Sequence, residues 1–287
     1  MDISDKYCQE KAAQSGSSFY YGFLFLTPIQ RQAIMAVYAF CREVDDIVDE
    51  CREKDIANQK LNWWSDEIER VFLEKAEHPA GIALQKARKK FSLKKEFFQE
   101  ILCGMQMDLK YQGYQKFEDL ERYCYCVASA VGLLSVEIFG FQDQKTLEYA
   151  KNLGIALQLI NIIRDVGEDA ARGRIYIPEL ELEQFSVDST DILNKKYSDN
   201  FYALMQFQTE RAKEYYRKAL DSLPAEDAPK QRAGLIMAEI YVALLKEIEK
   251  SNYQVLHQKI SLTPLRKLWI AWKTERNLKK NFRAMHA

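Results

Sequence analysis

The stretch Gln158 to Pro178, QLINIIRDVGEDAARGRIYIP, sets the tightest condition on how this chain can fold. At 3.6 residues per turn, the steps of three, four and four from Gln158 to Asn161, Asp165 and Asp169 put these side chains on one side of a helix. Leu157, Leu159, Ile160, Ile162, Ile163 and Val166 fill the other faces, so the helix is expected to be largely buried while carrying a polar stripe. A buried row of carboxylates demands compensation.

A second stretch answers that demand. In YAFCREVDDIVDE, Tyr38, Arg42, Asp45 and Asp49 are spaced four, three and four, with Asp46 beside Asp45 and with Ile34, Val37, Val44 and Val48 on other faces. Two carboxylates about 6 Å apart repel by roughly 3 kcal/mol at an effective dielectric of about 20, so two such rows facing each other require cations. Oxygen-only donors point to a hard ion such as Mg2+, which takes one or two carboxylates and leaves its other positions to water and phosphate oxygens. That arrangement suits a diphosphate. A lone DxxxD on a helix is more often a solvated face; two copies on mostly apolar helices, each next to an arginine (Arg42, Arg164), weigh the other way.

The rest of the chain must then enclose these rows, and its 287 residues with 47% hydrophobic content suffice for a sizeable core. With only 11 Gly and 6 Pro interrupting long 3.6-residue patterns, an all-α fold in a single domain (1–287) is expected. A net charge of -1 and the lack of any nucleic-acid module signature argue against nucleic acid as a partner. Six cysteines (Cys8, Cys41, Cys51, Cys103, Cys124, Cys126) show no CxxC spacing and read as reduced thiols of a cytoplasmic protein rather than zinc ligands. His78, His257 and His286 have no partner at ligand spacing. MDISDKY has no apolar signal region and no run of 18 apolar residues occurs, so neither a secretory signal nor a spanning helix is expected.

Four long motifs, SGSSFYYGFLFL, YAFCREVDDIVDE, YCYCVASAVG and NIIRDVGEDAARGRIYIP, carry a resemblance to the squalene and phytoene synthase family. It extends from about Tyr7 to the last helix, and within the family the chain looks most like bacterial presqualene diphosphate synthases of hopanoid biosynthesis. The resemblance implies an isoprenoid synthase helical bundle with a central active-site cavity. There, two farnesyl diphosphates would be joined head to head into presqualene diphosphate. Asp45, Asp49, Asn161, Asp165 and Asp169 would hold about two or three Mg2+ ions. Ser18, Tyr38, Arg42, Gln158, Arg164, Arg174 and Tyr241 would bind the diphosphates, and Phe19 and Tyr21 would flank the reacting carbons. Tyr123, with Tyr125 the less favoured alternative, would assist proton removal or orient the departing diphosphate. NADPH is not required for this end point. Dehydrosqualene, squalene or phytoene synthesis are alternative outcomes, a single-substrate terpene cyclase is another enzyme class, and a catalytically inactive assembly factor is the non-enzyme alternative. Downstream isoprenoid enzymes are possible partners. Lys259 stands where relatives often carry Arg, which keeps the charge but loses the bidentate fork.

Several segments leave two readings open. Ser17 and Ser18 in QSGSS either cap a turn or face phosphate oxygens. Thr27-Pro28 opens a helix running to about Cys51; the next is expected over 55–77, ended by His78-Pro79, followed by helices over 79–90 and 93–111. On the last of these, Gly104, Met105, Met107 and Asp108 either line an apolar tunnel or pack, and packing is the reading taken. Within 117–140, Ala128, Ser129, Ala130 and Gly132 allow close helix packing or the approach of a polyisoprenoid tail. Arg172 and Arg174 complement the end of the second acidic helix or close over a diphosphate. A short helix around 190–196 and two long ones over 201–223 and 227–251 follow. The tail 265–287 has seven Lys/Arg against one Glu, with Leu265, Leu268, Trp269, Trp272, Leu278 and Phe282 at helical spacing. It either docks on the body or lies peripherally on the inner, anionic face of a membrane.

Overall fold

The computed structural model describes residues 2–14, 18–51 and 53–285, with side chains to residue 279. Ser17 and His286, and the side chain of Phe282, lie outside the described residues. Among the described residues the chain is all α, with no strand. The helices are α1 (Ile3–Gln14), α2 (Phe19–Phe23), α3 (Pro28–Glu50), α4 (Lys54–Phe72), α5 (Pro79–Arg88), α6 (Lys95–Leu109) and α7 (Phe117–Cys124) in the first half. A π-helical turn over Tyr125–Ser129 joins α7 to α8 (Ala130–Phe139), and then come α9 (Lys145–Ala171), α10 (Glu179–Gln184), α11 (Ser189–Leu193), α12 (Asp199–Ser222), α13 (Arg232–Lys250) and α14 (Pro264–Met285).

The two acidic helices start in well-fixed ways. Thr27 and Gln30 exchange side-chain and backbone hydrogen bonds in a capping box at the head of α3, with Pro28 in the first turn. At the head of α9, the fully buried carboxylate of Asp227 accepts hydrogen bonds from Gln142 N at 2.8 Å, Asp143 N at 3.0 Å and Thr146 Oγ1 at 2.8 Å. This ties α9 to the turn that precedes α13, and it satisfies donors that a helix start leaves without intrahelical partners. Helix α9 is buried along Ile155, Ala156, Leu159, Ile160, Ile163 and Val166 and packs against α8, α12 and α13. Its apolar faces are therefore covered by other helices.

Three boundaries differ from those expected. The helix beginning near residue 55 ends at Phe72, where Glu74 takes a left-handed φ of 61°, and His78-Pro79 begins α5 instead of ending α4. His78 Nδ1 accepts from Ala80 N at 3.1 Å, so a residue expected as a terminator acts as a cap. An additional short helix, α10, precedes the one expected around 190–196, and α13 starts at Arg232, after a turn that runs through Asp227. The Phe117–Phe139 stretch is long and apolar enough to cross a membrane, which was not expected, but 56% of that window is buried inside the bundle and packs on α6 and α9. It is a core helix by its contacts.

The buried apolar residues form two clusters. One surrounds α9, α12 and α13, the other α3 to α6 with α8, and Phe19, Phe97 and Val127 pack against both. The functional chamber opens along this seam.

Candidate active site

One chamber, with a volume of about 620 Å³, is lined from α3 by Tyr38, Arg42, Asp45 and Asp49 and from α9 by Gln158, Asn161, Asp165 and Asp169. Both polar rows therefore face the same space. The chamber continues into an apolar cavity of about 200 Å³, and the two share Phe19, Tyr38, Cys41, Val127, Gln158 and Asn161. Polar groups form the mouth; Phe23, Val37, Val131, Phe139, Leu153 and Leu157 are among the walls further in.

The carboxylates are crowded. Asp45 keeps 40% of its side-chain surface, but that surface faces the confined chamber, and burial together with the charges of Asp49 and Asp46 pushes its pKa up to about 6 against the pull of Arg42. Asp169 is pushed up to about 7, first by burial and then by Asp165. Neighbouring cations hold the rows in place. Arg42 Nη1 donates to Asp45 Oδ2 at 2.6 Å and its other nitrogen pairs with Asp46, while Arg164 Nε donates to Asp165 Oδ1 at 2.7 Å. Lys259 Nζ lies 3.2 Å from Asp165 and 2.6 Å from Glu168.

The route by which Lys259 arrives rests on Gly167. A Cβ there would stand 2.3 Å from Leu256 O and 2.5 Å from Val255 O, so only glycine lets the backbone at 255–256 lie directly on α9. Gly173 is needed for another reason. It has φ 74°, Gly173 N donates to Ala170 O and Arg174 N to Asp169 O, both at 2.9 Å, which is a Schellman ending. That turn sends Arg172 and Arg174 back across the mouth to α3, where Arg172 lies 3.1 Å and Arg174 3.7 Å from Asp49. These arginines thus connect the end of one acidic helix to the acid row of the other.

The remaining singled-out residues sort as follows. Ser18 lines the chamber and its side chain makes no cap hydrogen bond, so it does not serve as an N-cap. Phe19 lines both cavities, and Tyr241 lies between Arg164 and Asn161, its pKa raised by burial against the nearby Arg164 charge. Tyr21 is not among the residues that line either cavity. It lies two positions from Phe19 on a short helix and under Lys267, a chamber-lining residue whose Nζ is 5.7 Å from the ring. Tyr123 does line the chamber; Tyr125, two residues on, does not and instead has Arg122 over its ring. Gly132 and Gly154 serve both readings of the small-residue stretch. They line the apolar cavity, and a Cβ on either would meet neighbouring backbone at 2.8 Å or less.

Asp108 is the residue that sequence reasoning assigned to packing and that the structure puts in the chamber wall. It is 7% exposed and accepts from Tyr123 Oη at 2.7 Å and Tyr176 Oη at 2.8 Å. Burial pushes its pKa up, and the two phenol donors oppose that shift. The signal was available: Phe98, Ile101, Met105 and Asp108 follow a three-, four- and three-residue step, so the apolar face of α6 points the carboxylate inward.

An all-oxygen donor set of this kind fits hard divalent ions. The Asn161 Oδ1 atom is buried without a hydrogen-bond partner among the described residues, as a carbonyl oxygen reserved for a cation would be, and burial with neighbouring acids raises the pKa of Asp45 and Asp169, a shift that a cation would oppose. No three chamber carboxylates among the described residues approach within 4.8 Å of one another, so an ion there would complete its shell with water or substrate oxygens. Glu100, Cys103 and Cys126 do come that close, but Arg122 already pairs with Glu100 at 2.6 Å and burial pushes the Cys126 thiol up, which keeps its proton on.

Comparison with known proteins agrees with this geometry. The profile of the squalene/phytoene synthase family matches residues 12–266. The 15-cis-phytoene synthase of Synechococcus elongatus is 34% identical over 280 residues, covering 93% of this chain and 91% of that protein. A dehydrosqualene synthase solved with a ligand superposes with a TM-score of 0.86 at 28% identity, covering 96% of this chain and 97% of that one. Squalene synthase HpnC from Alicyclobacillus acidocaldarius gives 0.79 at 28% identity over 87% and 94% of the two chains.

Proposed function

Since the chain belongs to the squalene/phytoene synthase family, whose members condense prenyl diphosphates head to head, we propose that it joins two farnesyl diphosphates into presqualene diphosphate as a single catalytic domain. The observation that carries the condensation is the shared chamber: both acid rows line a polar mouth that runs on into an apolar cavity. A prenyl diphosphate has the same division, with a charged head and a hydrocarbon tail. The choice of presqualene diphosphate rests on the four long motifs. Phytoene synthesis is the second reading, favoured by the name of the Synechococcus relative.

Asp45, Asp49, Asn161, Asp165 and Asp169 would hold Mg2+, which when bound supplies Lewis-acid stabilisation of the leaving diphosphate. Arg42, Arg164 and Arg174 are placed to exchange their carboxylate partners for phosphate oxygens, for which a guanidinium fork is well shaped. Ser18, Gln158, Tyr38 and Tyr241 would orient the same oxygens from the chamber wall. Phe19 and Tyr38, with ring centroids 6.0 Å apart at the junction of the two cavities, present aromatic faces where an allylic cation would pass. The apolar walls exclude water that would quench it. Tyr123 is the candidate for handling the proton lost as the cyclopropane closes. An inactive assembly factor would have no use for carboxylates crowded in this way.

Helix α14 adds a location. Its Ile270, Ala271 and Glu275 are buried against the body, whereas Leu265, Leu268, Trp269 and Trp272 form an exposed stripe with Lys273 and Arg276 stacked on the two indoles. One face of the helix is thus docked on the body, and the exposed face is the one offered to a membrane in this reading. Lys267 on this helix also lines the chamber, so the stripe lies beside the mouth, and it would rest on the anionic inner face of a membrane from which greasy substrates arrive. The working compartment in this reading is the cytoplasm.

Purified protein incubated with farnesyl or geranylgeranyl diphosphate and Mg2+, with and without NADPH, tests the proposal by product mass. Presqualene diphosphate formed without NADPH is expected. A C40 hydrocarbon from the longer substrate would establish the phytoene reading, and a product containing one prenyl unit would overturn head-to-head coupling.

A further inference from the structure

The carboxylate of Asp108 has no part in the scheme above, yet it is the most enclosed acid in the chamber wall. Its two oxygens are used separately: Tyr123 Oη donates to Oδ2 at 2.7 Å and Tyr176 Oη to Oδ1 at 2.8 Å. A carboxylate only accepts, so both phenolic hydrogens are directed at Asp108. The lone pairs of Tyr123 Oη are then left to face elsewhere, and Tyr123 lines the chamber.

The surroundings fix this arrangement. The rings of Tyr123 and Tyr176 stack with centroids 5.3 Å apart, and Tyr114 packs on both at 5.6 and 6.1 Å. Tyr111 Oη accepts from Ile175 N at 3.0 Å and donates to Ile175 O, which clamps the segment carrying Tyr176 onto the end of α6. So three separate parts of the chain are built to hold two hydroxyls on one acid. An acid of this kind, buried where the charged form is disfavoured, has a raised proton affinity.

We propose that Asp108 is the positioning residue that makes Tyr123 a base: it holds the Tyr123 hydrogen away from the substrate and receives it when Tyr123 takes the substrate's proton. This rests on the condensation proposed above. In the step, the substrate C–H bond breaks and its electron pair forms the last bond of the cyclopropane. The proton goes to Tyr123 Oη, and the original Tyr123 hydrogen passes to Asp108 Oδ2. Asp108 ends neutral and returns its proton to the chamber with product release. Tyr176 keeps the carboxylate aligned throughout.

The test separates ionisation from proton loss by measuring diphosphate release and coupled product in the same reaction, for wild type, Asp108→Asn, Tyr123→Phe and Tyr176→Phe. For Asp108→Asn, release of the first diphosphate within about threefold of wild type is expected, with cyclopropane product down about 100-fold and replaced by water-captured alcohol, from the coupled cation or from the allylic cation to which it reverts. Tyr123→Phe should show the same split, and Tyr176→Phe a smaller one. Equal loss of both signals in Asp108→Asn, with far-UV circular dichroism unchanged, would mean a structural or ion-holding role and overturn the proposal. Unchanged product would do so too. If the Asn variant does not fold, Tyr176→Phe carries the decision, because it frees one oxygen of Asp108 while leaving Tyr123 in place; unchanged product there would overturn the proposal. Failure of the condensation itself shows separately, as a wild-type enzyme that releases diphosphate without any coupled product.

Discussion

Two raised carboxylate pKa values make the fold itself sensitive to pH when no divalent ion is present. Asp169 rises from 3.8 to about 7 and Asp45 from 3.8 to about 6 on folding. A group whose folded pKa is raised contributes stability that is fully present below its unfolded value and is lost as pH rises through the folded value. For Asp169 the loss is about 4 kcal/mol. For Asp45, 40% exposed, solvent screening reduces it to about 1 kcal/mol. Together, about 5 kcal/mol disappears between pH 4 and 7.5, which for a chain of this size lowers Tm by about 10 °C. His78, held below its usual value by burial, acts in the opposite direction, since its charging in the unfolded state favours unfolding below about pH 6.5. The comparison that isolates the effect is therefore wild type against Asp169→Asn in EDTA, heated at pH 5 and pH 7.5. The variant should lose most of the pH dependence and be the more stable protein at pH 7.5, and Mg2+ with inorganic diphosphate should restore wild type at that pH. Parallel curves for the two proteins would refute the claim that burial and the neighbouring Asp165 charge raise the proton affinity of Asp169.

Three further outcomes are expected. Asp165→Asn removes a charge and no packing volume, so turnover should fall about 100- to 1000-fold with the helical circular dichroism spectrum intact, and a near-normal rate would rule Asp165 out as an ion-holding group. Gly167→Ala pushes a methyl into Leu256 O and Val255 O; the overlap costs about 3 kcal/mol and better helix propensity returns about 1, so urea denaturation should show a net loss of about 2 kcal/mol, and no loss would mean the 255–256 segment is not held there. Replacing Trp269 and Trp272 by Ala should weaken flotation with anionic vesicles on the order of 100-fold while sparing turnover of detergent-dispersed substrate, and undiminished flotation would remove the membrane assignment.

What could be read in the sequence was whatever repeats along one helix. The rows Tyr38-Arg42-Asp45-Asp49 and Gln158-Asn161-Asp165-Asp169 are fixed by spacing alone, and the structure does bring them to one chamber. Boundaries were less visible where one residue type serves two purposes. His78-Pro79 looks like a stop from the preceding side, but Pro at a first turn is also a start, and the left-handed Glu74 ends α4 without any glycine or proline to announce it. The membrane-spanning length of Phe117–Phe139 was not read from the sequence because Glu118, Asp119, Glu121 and Arg122 break its apolar run, while the π turn and α8 supply enough apolar length to compensate.

Asp108 and Tyr21 stand apart from their sequence readings for opposite reasons, and both come down to direction. Tyr21 became a candidate through the family resemblance; on a five-residue helix, however, a step of two turns a side chain by about 200°, so Phe19 and Phe23 share a side that lines the apolar cavity and Tyr21 does not. Asp108 has no motif partner at all. Its donors, Tyr123 and Tyr176, lie 15 and 68 residues away and are brought in by a different helix and by the segment after the Schellman turn. No periodicity within a single element can encode such a contact. The clue lay in an energetic inconsistency: a lone carboxylate continuing the apolar face of α6 has no local compensation, so its partners had to come from elsewhere in the fold.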